Sequence, residues 1–359
     1  MKFGAMIATR IDDWRLLVDA EEMGYDHGWV PDSQMIWSDC YAVLALVAAH
    51  TKRMKIGTGV AIVGTRIAPV TAHSIATINQ IAPGRVFLGI GTGHTAMRVM
   101  GMDAVKPKVF AEYLRVVRAL LHGEEVDYTL NGVTKPIRFL HRGMGFFNVE
   151  QPVPIYVAAN GPLALAAAGR YGDGRISAGG EPNAVFANNL KKVRTGAEAA
   201  GRTFDRDAFH TAALTFSCVL RPGEKLTSDR VIDQVGSMVS ASLHFWWELY
   251  RESGSDAFIR PDVRDVWDRY LAHVKQMPEQ QRHLRVHDGH CTYLMPEERK
   301  FITPAMIRAS GGLVGEPDEI IAMLREQERG GLNEVTLLPP MACARENYAD
   351  FAKHVIERY

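Results

Sequence analysis

Gly91-Thr92-Gly93-His94 sets bare backbone beside an imidazole, a side chain suited to proton work. Such a stretch lets a flat ligand approach the main chain, with His94 facing it. It is not a dinucleotide fingerprint, because the third glycine is missing at its proper offset. Asn160-Gly161-Pro162-Leu163-Ala164 follows an apolar run and opens a helical one. Free N–H groups and the helix dipole make such a terminus an anion site, although the same residues also make an ordinary strand–helix turn. Asp32 and Ser33, with Trp37 close behind, follow another apolar run. Asp32 can cap the next segment or touch a ligand, and Trp37 can pack in the core or wall an aromatic cofactor. Finally, RHLRVHDGHC clusters His283, His287, His290 and Cys291. No Cys-x-x-Cys or His-Glu-x-x-His accompanies it, so no metal is expected. These histidines could instead donate protons, bind substrate from a lid, or satisfy a loop. Nearby Phe245-Trp246-Trp247 and Tyr250 read first as packing and second as the wall of a hydrophobic pocket.

The elements that must position these residues repeat one unit. In Lys52–Gly93, Met54–Val60 is a buried strand, Pro69–Ile81 a helix with Pro in its first turn, and Arg85–Ile90 a second strand. His73 belongs to that helix and reads as scaffold. Further strands are expected at Lys2–Ala8, His27–Pro31, Pro154–Ala158, Asp173–Ser177, His210–Leu220 and Glu334–Leu338. Asp12-Asp13 are placed to cap the first helix. Asn131-Gly132 signals a hairpin inside an insertion at about 123–152, before the fifth strand. A long helical insertion at about 222–304 follows the seventh. Eight strands alternating with helices argue for an α/β fold, a single (β/α)8 TIM barrel over residues 1–359; an open doubly wound sheet is the competing architecture. In a barrel the site lies at the strand carboxyl ends, which selects Thr9 and Arg10, Asp32 and Ser33, Gly59 to Gly64, Gly91 to His94, Ala159 to Leu163, and Gly179-Gly180.

Composition narrows the partners. The chain has 359 residues, 47% hydrophobic and 23% charged, which is ordinary for a globular protein. Lys+Arg and Asp+Glu both number 41, so nothing calls for nucleic acid or an anionic membrane. No apolar run approaches a membrane span, and MKFGAMIATRIDDW lacks the apolar core of a signal peptide. Four scattered cysteines read as reduced thiols, and a cytoplasmic location is expected. There is no Gly-x-Ser-x-Gly elbow, no Walker loop and no paired carboxylate at a strand end, so hydrolase and kinase chemistry has no support.

Several stretches together resemble the bacterial-luciferase-like superfamily of flavin- and deazaflavin-dependent oxidoreductases, nearest its methylene-tetrahydromethanopterin-reductase-like branch. The carriers are VPDSQMIW, IGTGVAIVGTR with IAPVTAHSIATINQIAPGRVFLGIGTG, PIYVAANGPLALAAAGRYGDG, and LVGEPDEIIAMLREQERGGLNEVTLL. The resemblance implies a barrel holding reduced FMN or coenzyme F420 at the strand ends. It also implies a bulge in the third strand, with a non-prolyl cis peptide at Gly59–Val60 behind the ring. The cofactor phosphate would meet Asn160, Gly161, Pro162, Leu163, Ala164, Gly179 and Gly180; Asp32 and Trp37 match residues near the ring. Two departures matter: Ser33 stands where many relatives have His, and His94 where sugar-phosphate dehydrogenases of the group have an acid. Proton work would then fall to His94, Ser33, His287 or His290.

The first reading is a two-component monooxygenase using FMNH2 and O2 on a small organic substrate, with a separate flavin reductase as partner. The alternative is hydride transfer with coenzyme F420 and no oxygen. A third reading is a catalytically silent flavin-binding or structural barrel. A homodimer is expected from the resemblance.

Overall fold

The computed structural model describes residues 1–359. The chain begins β1 (Lys2–Met6), α1 (Trp14–Glu22), β2 (His27–Val30), α2 (Cys40–His50), β3 (Lys55–Thr58), β4 (Ala61–Ile62), α3 (Ala68–Ile81) and β5 (Val86–Gly91). Helices α4 (His94–Val99) and α5 (Pro107–Leu121) lead to a hairpin, β6 (Val126–Leu130) and β7 (Val133–Ile137). Then come β8 (Ile155–Ala158), α6 (Pro162–Tyr171), β9 (Gly174–Ala178), α7 (Asn183–Glu198), β10 (His210–Thr215) and β11 (Ser217–Val219). Helices α8 (Asp229–Ser253), α9 (Arg264–Gln276), α10 (Arg282–Arg285) and α11 (Pro304–Ala309) form the long insertion. The chain closes with β12 (Leu313–Gly315), α12 (Pro317–Arg329), β13 (Glu334–Leu337) and α13 (Ala344–His354).

The strands run β3-β2-β1-β13-β10-β9-β8-β5, and β3 pairs with β5, so the parallel sheet closes on itself. This is the (β/α)8 barrel that the strand–helix rhythm predicts, and the open sheet is excluded. The third stave carries the expected irregularity. Gly57 pairs with Phe87 and Ala61 with Ile90, so four steps along the third stave face three along β5. The extra residue falls at the Gly59–Val60 peptide, which is cis.

Local chemistry explains most of the frame. Pro stands in the first turn of α3, α5, α6 and α12, where its missing N–H costs nothing. Asp39 caps α2 by accepting from Tyr41 and Ala42 N–H. Asp13 precedes α1 but does not cap it: its carboxylate takes the guanidinium and N–H of Arg10 instead. Asn131 and Gly132 both take positive φ and turn the β6–β7 hairpin. His73 is exposed on α3 and stacks on Phe139.

The seventh strand is the main departure. The apolar run His210–Leu220 does not continue through the barrel wall. It stays in the wall only as β10, and β11 peels away to pair with β12. Phe216 marks the break, with its ring packed so close to Gly312 that a Cβ there would lie 2.2 Å from it. Beyond it the insertion has an apolar core of its own, built on the stripe Val231, Val235, Val239 and Leu243 of α8 against Trp267, Tyr270 and Phe301. No helix is long and apolar enough to cross a membrane.

Candidate functional site

Inside the barrel, beneath the strand ends, sits a buried carboxylate. Glu334 opens β13 and is fully buried. It accepts from Trp29 Nε1 at 2.7 Å and from Thr336 Oγ1 at 2.8 Å. His27 Nδ1 lies 2.9 Å and His210 Nε2 2.8 Å from its other oxygen. Burial opposes ionisation, but His27 and His210 outweigh it and hold this carboxyl far below its ordinary range. The network fixes Trp29 and Thr336, which both face the cavity above.

That cavity, ≈ 490 Å³, lies between the barrel and the insertion. Its floor is Met6, Trp29, the Gly59–Val60 bulge, Ala158, Ile176, Ala212 and Leu214. Its roof is Met238, Ala241, Ser242, Phe245 and Trp246 of α8, with His290, Cys291, Ala309 and Ser310. Phe245 and Trp246 are thus pocket wall, and Trp247 is core of the insertion. The polar end lies at Asn160 and Gly179. A Cβ at Gly179 would stand 2.6 Å from Thr215 and 3.0 Å from the Gly311 carbonyl, so the backbone there is necessarily bare. Behind it the fully buried Arg175 donates to the Ala159 carbonyl (2.9 Å) and pairs with Glu181 (2.8 Å), fixing the start of the Asn160 turn.

Of the residues singled out by sequence, Gly59, Val60, Asn160, Gly179, Phe245, Trp246, His290 and Cys291 line this cavity. The others stand behind or beside it. Asp32 is buried under the bulge, where it takes the Ile62 N–H at 3.1 Å and Arg66 at 2.6 Å, and also accepts from Gln34. Burial disfavours the Arg66 charge, but Asp32 restores it and keeps the guanidinium protonated. Asp32 therefore positions the bulge from beneath. Ser33 accepts backbone bonds from Ile36 and Trp37 with its carbonyl, in a turn outside the cavity lining. Thr9 is buried with its hydroxyl unpartnered. Trp37 donates to Thr292 Oγ1 at 2.9 Å, and its ring lies 6.2 Å from that of His290. Thr92 and Gly93 lie just past β5, and Gly93 takes φ 76° to start α4. His94 does not face the cavity: as first residue of α4 it is exposed, edge-on to Phe245 at 6.1 Å. Gly161, Pro162 and Leu163 form the exposed first turn of α6, Ala164 is half-buried behind them, and Gly180 turns at φ 71°.

The lid histidines divide. His283 lies in a surface groove beside Arg98 and Arg282. His287 and His290 come together with a third ring, His244 of α8. Burial first, then His287 and His244, push His290 well below its ordinary value. Burial likewise lowers His287, while Glu248 opposes it. Cys291 is pushed up to about 12 by burial, so its thiol stays protonated. Glu248 also ties the insertion down: Arg98 of α4 meets it at 3.0 Å and Arg251 at 2.9 Å. Sequence reading missed His244, Arg66, Arg175, Glu248 and Glu298. One signal was available, since Ser240, His244 and Glu248 recur at four-residue steps along α8, one position on from the register of the apolar stripe.

The luciferase-like monooxygenase family model matches residues 12–334. The chain is 38% identical over 201 residues to an F420-dependent glucose-6-phosphate dehydrogenase of Kineococcus radiotolerans, covering 52% of this chain and 58% of that protein. It is 36% identical over 185 residues to a 5,10-methylenetetrahydromethanopterin reductase of Methanolobus tindarius, covering 51% and 54%. The match thus spans little more than half the length of these relatives. In fold, the coenzyme F420-dependent tetrahydromethanopterin reductase from Methanopyrus kandleri superposes with TM-score 0.67 at 20% identity, over 100% of this chain and 99% of that one. A monooxygenase from Streptomyces bottropensis gives 0.61 at 17%, over 100% of both. With its closed barrel, its bulged third stave and a match over most of its length, this chain belongs to the luciferase-like monooxygenase family.

Proposed function

We propose that the protein is a coenzyme F420-dependent oxidoreductase that transfers hydride to or from a small organic substrate without oxygen. The observation that carries this is the 36–38% identity to an F420-dependent dehydrogenase and to a methylenetetrahydromethanopterin reductase. It reverses the order of the two readings the sequence supports, since monooxygenases enter only through the family description and through fold neighbours of 17–18% identity.

The residues present fit such a cofactor. The floor is apolar and flat enough in side-chain size (Val60, Ala158, Ala212) to take a ring, and bare backbone at Gly179 and Asn160 suits an anionic tail. Bound there, a deazaflavin supplies a two-electron hydride donor or acceptor. The chain's own work is positional. Asp32 and Arg66 brace the bulge from below, and Glu334 fixes Trp29 and Thr336. Phe245, Trp246 and Met238 keep water from the reacting face. His290 and Cys291 are the only titratable side chains on the cavity wall, and Cys291 is held neutral. A substrate oxygen is therefore met at His290, not at His94 or Ser33.

Titrating the purified protein with F420 and with FMN, each oxidised and reduced, tests the reading. Micromolar binding of F420 alone is the expected result. Binding of FMNH2 alone returns the monooxygenase and its partner reductase, and binding of neither leaves a silent barrel.

A further inference from the structure

His244, His287 and His290 each offer a ring nitrogen, and these nitrogens lie within 4.8 Å of one another. The ring centroids are 5.9, 6.2 and 5.8 Å apart, so three imidazoles surround one point almost evenly. Nδ1 of His244, both nitrogens of His287 and Nδ1 of His290 are buried without a hydrogen-bond partner. Such orphans are costly in a packed interior, and here they fall together. Behind them stand two buried carboxylates. Glu298 lies 3.0 Å from His244 Nε2 and also takes the Ser240 hydroxyl; Glu248 lies 3.7 Å from His287 Nε2. At His244 the carboxylate facing Nε2 favours the tautomer that leaves Nδ1 free to coordinate.

We propose that His244, His287 and His290 form a three-histidine site for a divalent ion of the zinc class at the roof of the cavity. Imidazole donors select zinc, cobalt, nickel or copper over magnesium or calcium. Drawing the nitrogens to Zn–N bonds of about 2.0–2.1 Å needs each ring to move inward by less than ~1 Å. His290 lines the cavity while His244 and His287 are buried behind it, so an ion held there would stand beside the substrate space, where a fourth position could polarise a carbonyl or alcohol oxygen. The site does not depend on which coenzyme fills the cavity.

The test uses the untagged full chain, stripped with a chelator, loaded with Zn²⁺ or Co²⁺ and dialysed. One ion per chain should remain by elemental analysis, X-ray absorption of the zinc form should show nitrogen neighbours at about 2.0 Å, and the cobalt form should absorb in the visible. Retained metal should fall to background in His244→Gln and in His290→Gln. Retention at background in the unmutated protein overturns the proposal. So does an all-oxygen shell, or one ion per chain surviving in the double variant. The absorption measurement needs no variant, so misfolding of either substitution does not blunt it. Coenzyme titration of the stripped protein separates the two claims, since F420 binding should persist without the ion.

Discussion

Glu334 is sealed from water and still ionised, because His27 and His210 bracket one oxygen while Trp29 and Thr336 donate to the other. Its folded-state pKa is depressed, so it adds stability above the ordinary glutamate value and loses it as pH falls below that value. Urea midpoints measured across acid pH should therefore drop more steeply for the native chain than for Glu334→Gln. Equal slopes would show that the carboxylate is not what titrates. Asp32 makes a second case. Asp32→Ala leaves the Ile62 N–H unpaired and Arg66 held by Asp39 alone, and an unsatisfied buried polar group costs about 1–3 kcal/mol. Denaturant unfolding should show that loss together with weaker coenzyme binding. Neither role was legible from residue type. Asp32 was visible as a strand-end acid, but its partner Arg66 lies across a bulge, and only the folded chain brings them together. Glu334 read merely as the first residue of a strand.

At the scale of elements, α4 and α8 are joined by Arg98, which reaches Glu248, Glu252 and Asp103. This places the roof's attachment next to the Gly91–Gly93 strand end. Arg98→Ala should loosen α8: amide exchange over residues 229–253 should quicken, and KM for the organic substrate should rise roughly tenfold, more than kcat falls. Unchanged exchange would mean that the insertion's own core holds the roof alone. Gly179→Ala probes the cofactor end. Its Cβ would overlap Thr215, so coenzyme affinity should fall at least tenfold by fluorescence titration. The elements themselves were largely readable. Period-two strands, first-turn prolines and the Asn131-Gly132 hairpin follow from local chemistry, which sequence displays directly. The split of the seventh strand was not, because it depends on Phe216 packing against Gly312, far away in the chain. The short α4 was also missed, and with it the outward position of His94.

At the scale of the molecule, the barrel was legible because each crossover repeats the last, and closure follows from the number of repeats. The roof was legible only as a helical insertion; its second core and its three converging histidines come from contacts between distant segments. The homodimer implied by the resemblance has apolar surface available on α3 and its approach, where Ile67, Val70 and Ile81 are 43–45% exposed. Sedimentation velocity at micromolar concentration should show a dimer boundary, and a single monomer boundary removes it. One further consequence lies in the seam between barrel and roof. The Leu313 N–H donates to the Phe216 carbonyl at 2.8 Å, so the chain leaves the wall and returns to it at one point. A segment whose two ends meet in space can lengthen, shorten or be exchanged without moving the ends that the frame must hold. The ancestry of the floor and that of the roof can therefore differ in pace: one chassis, with the coenzyme's seat held constant, can be refitted for new substrates by grafting everything between Phe216 and Gly312.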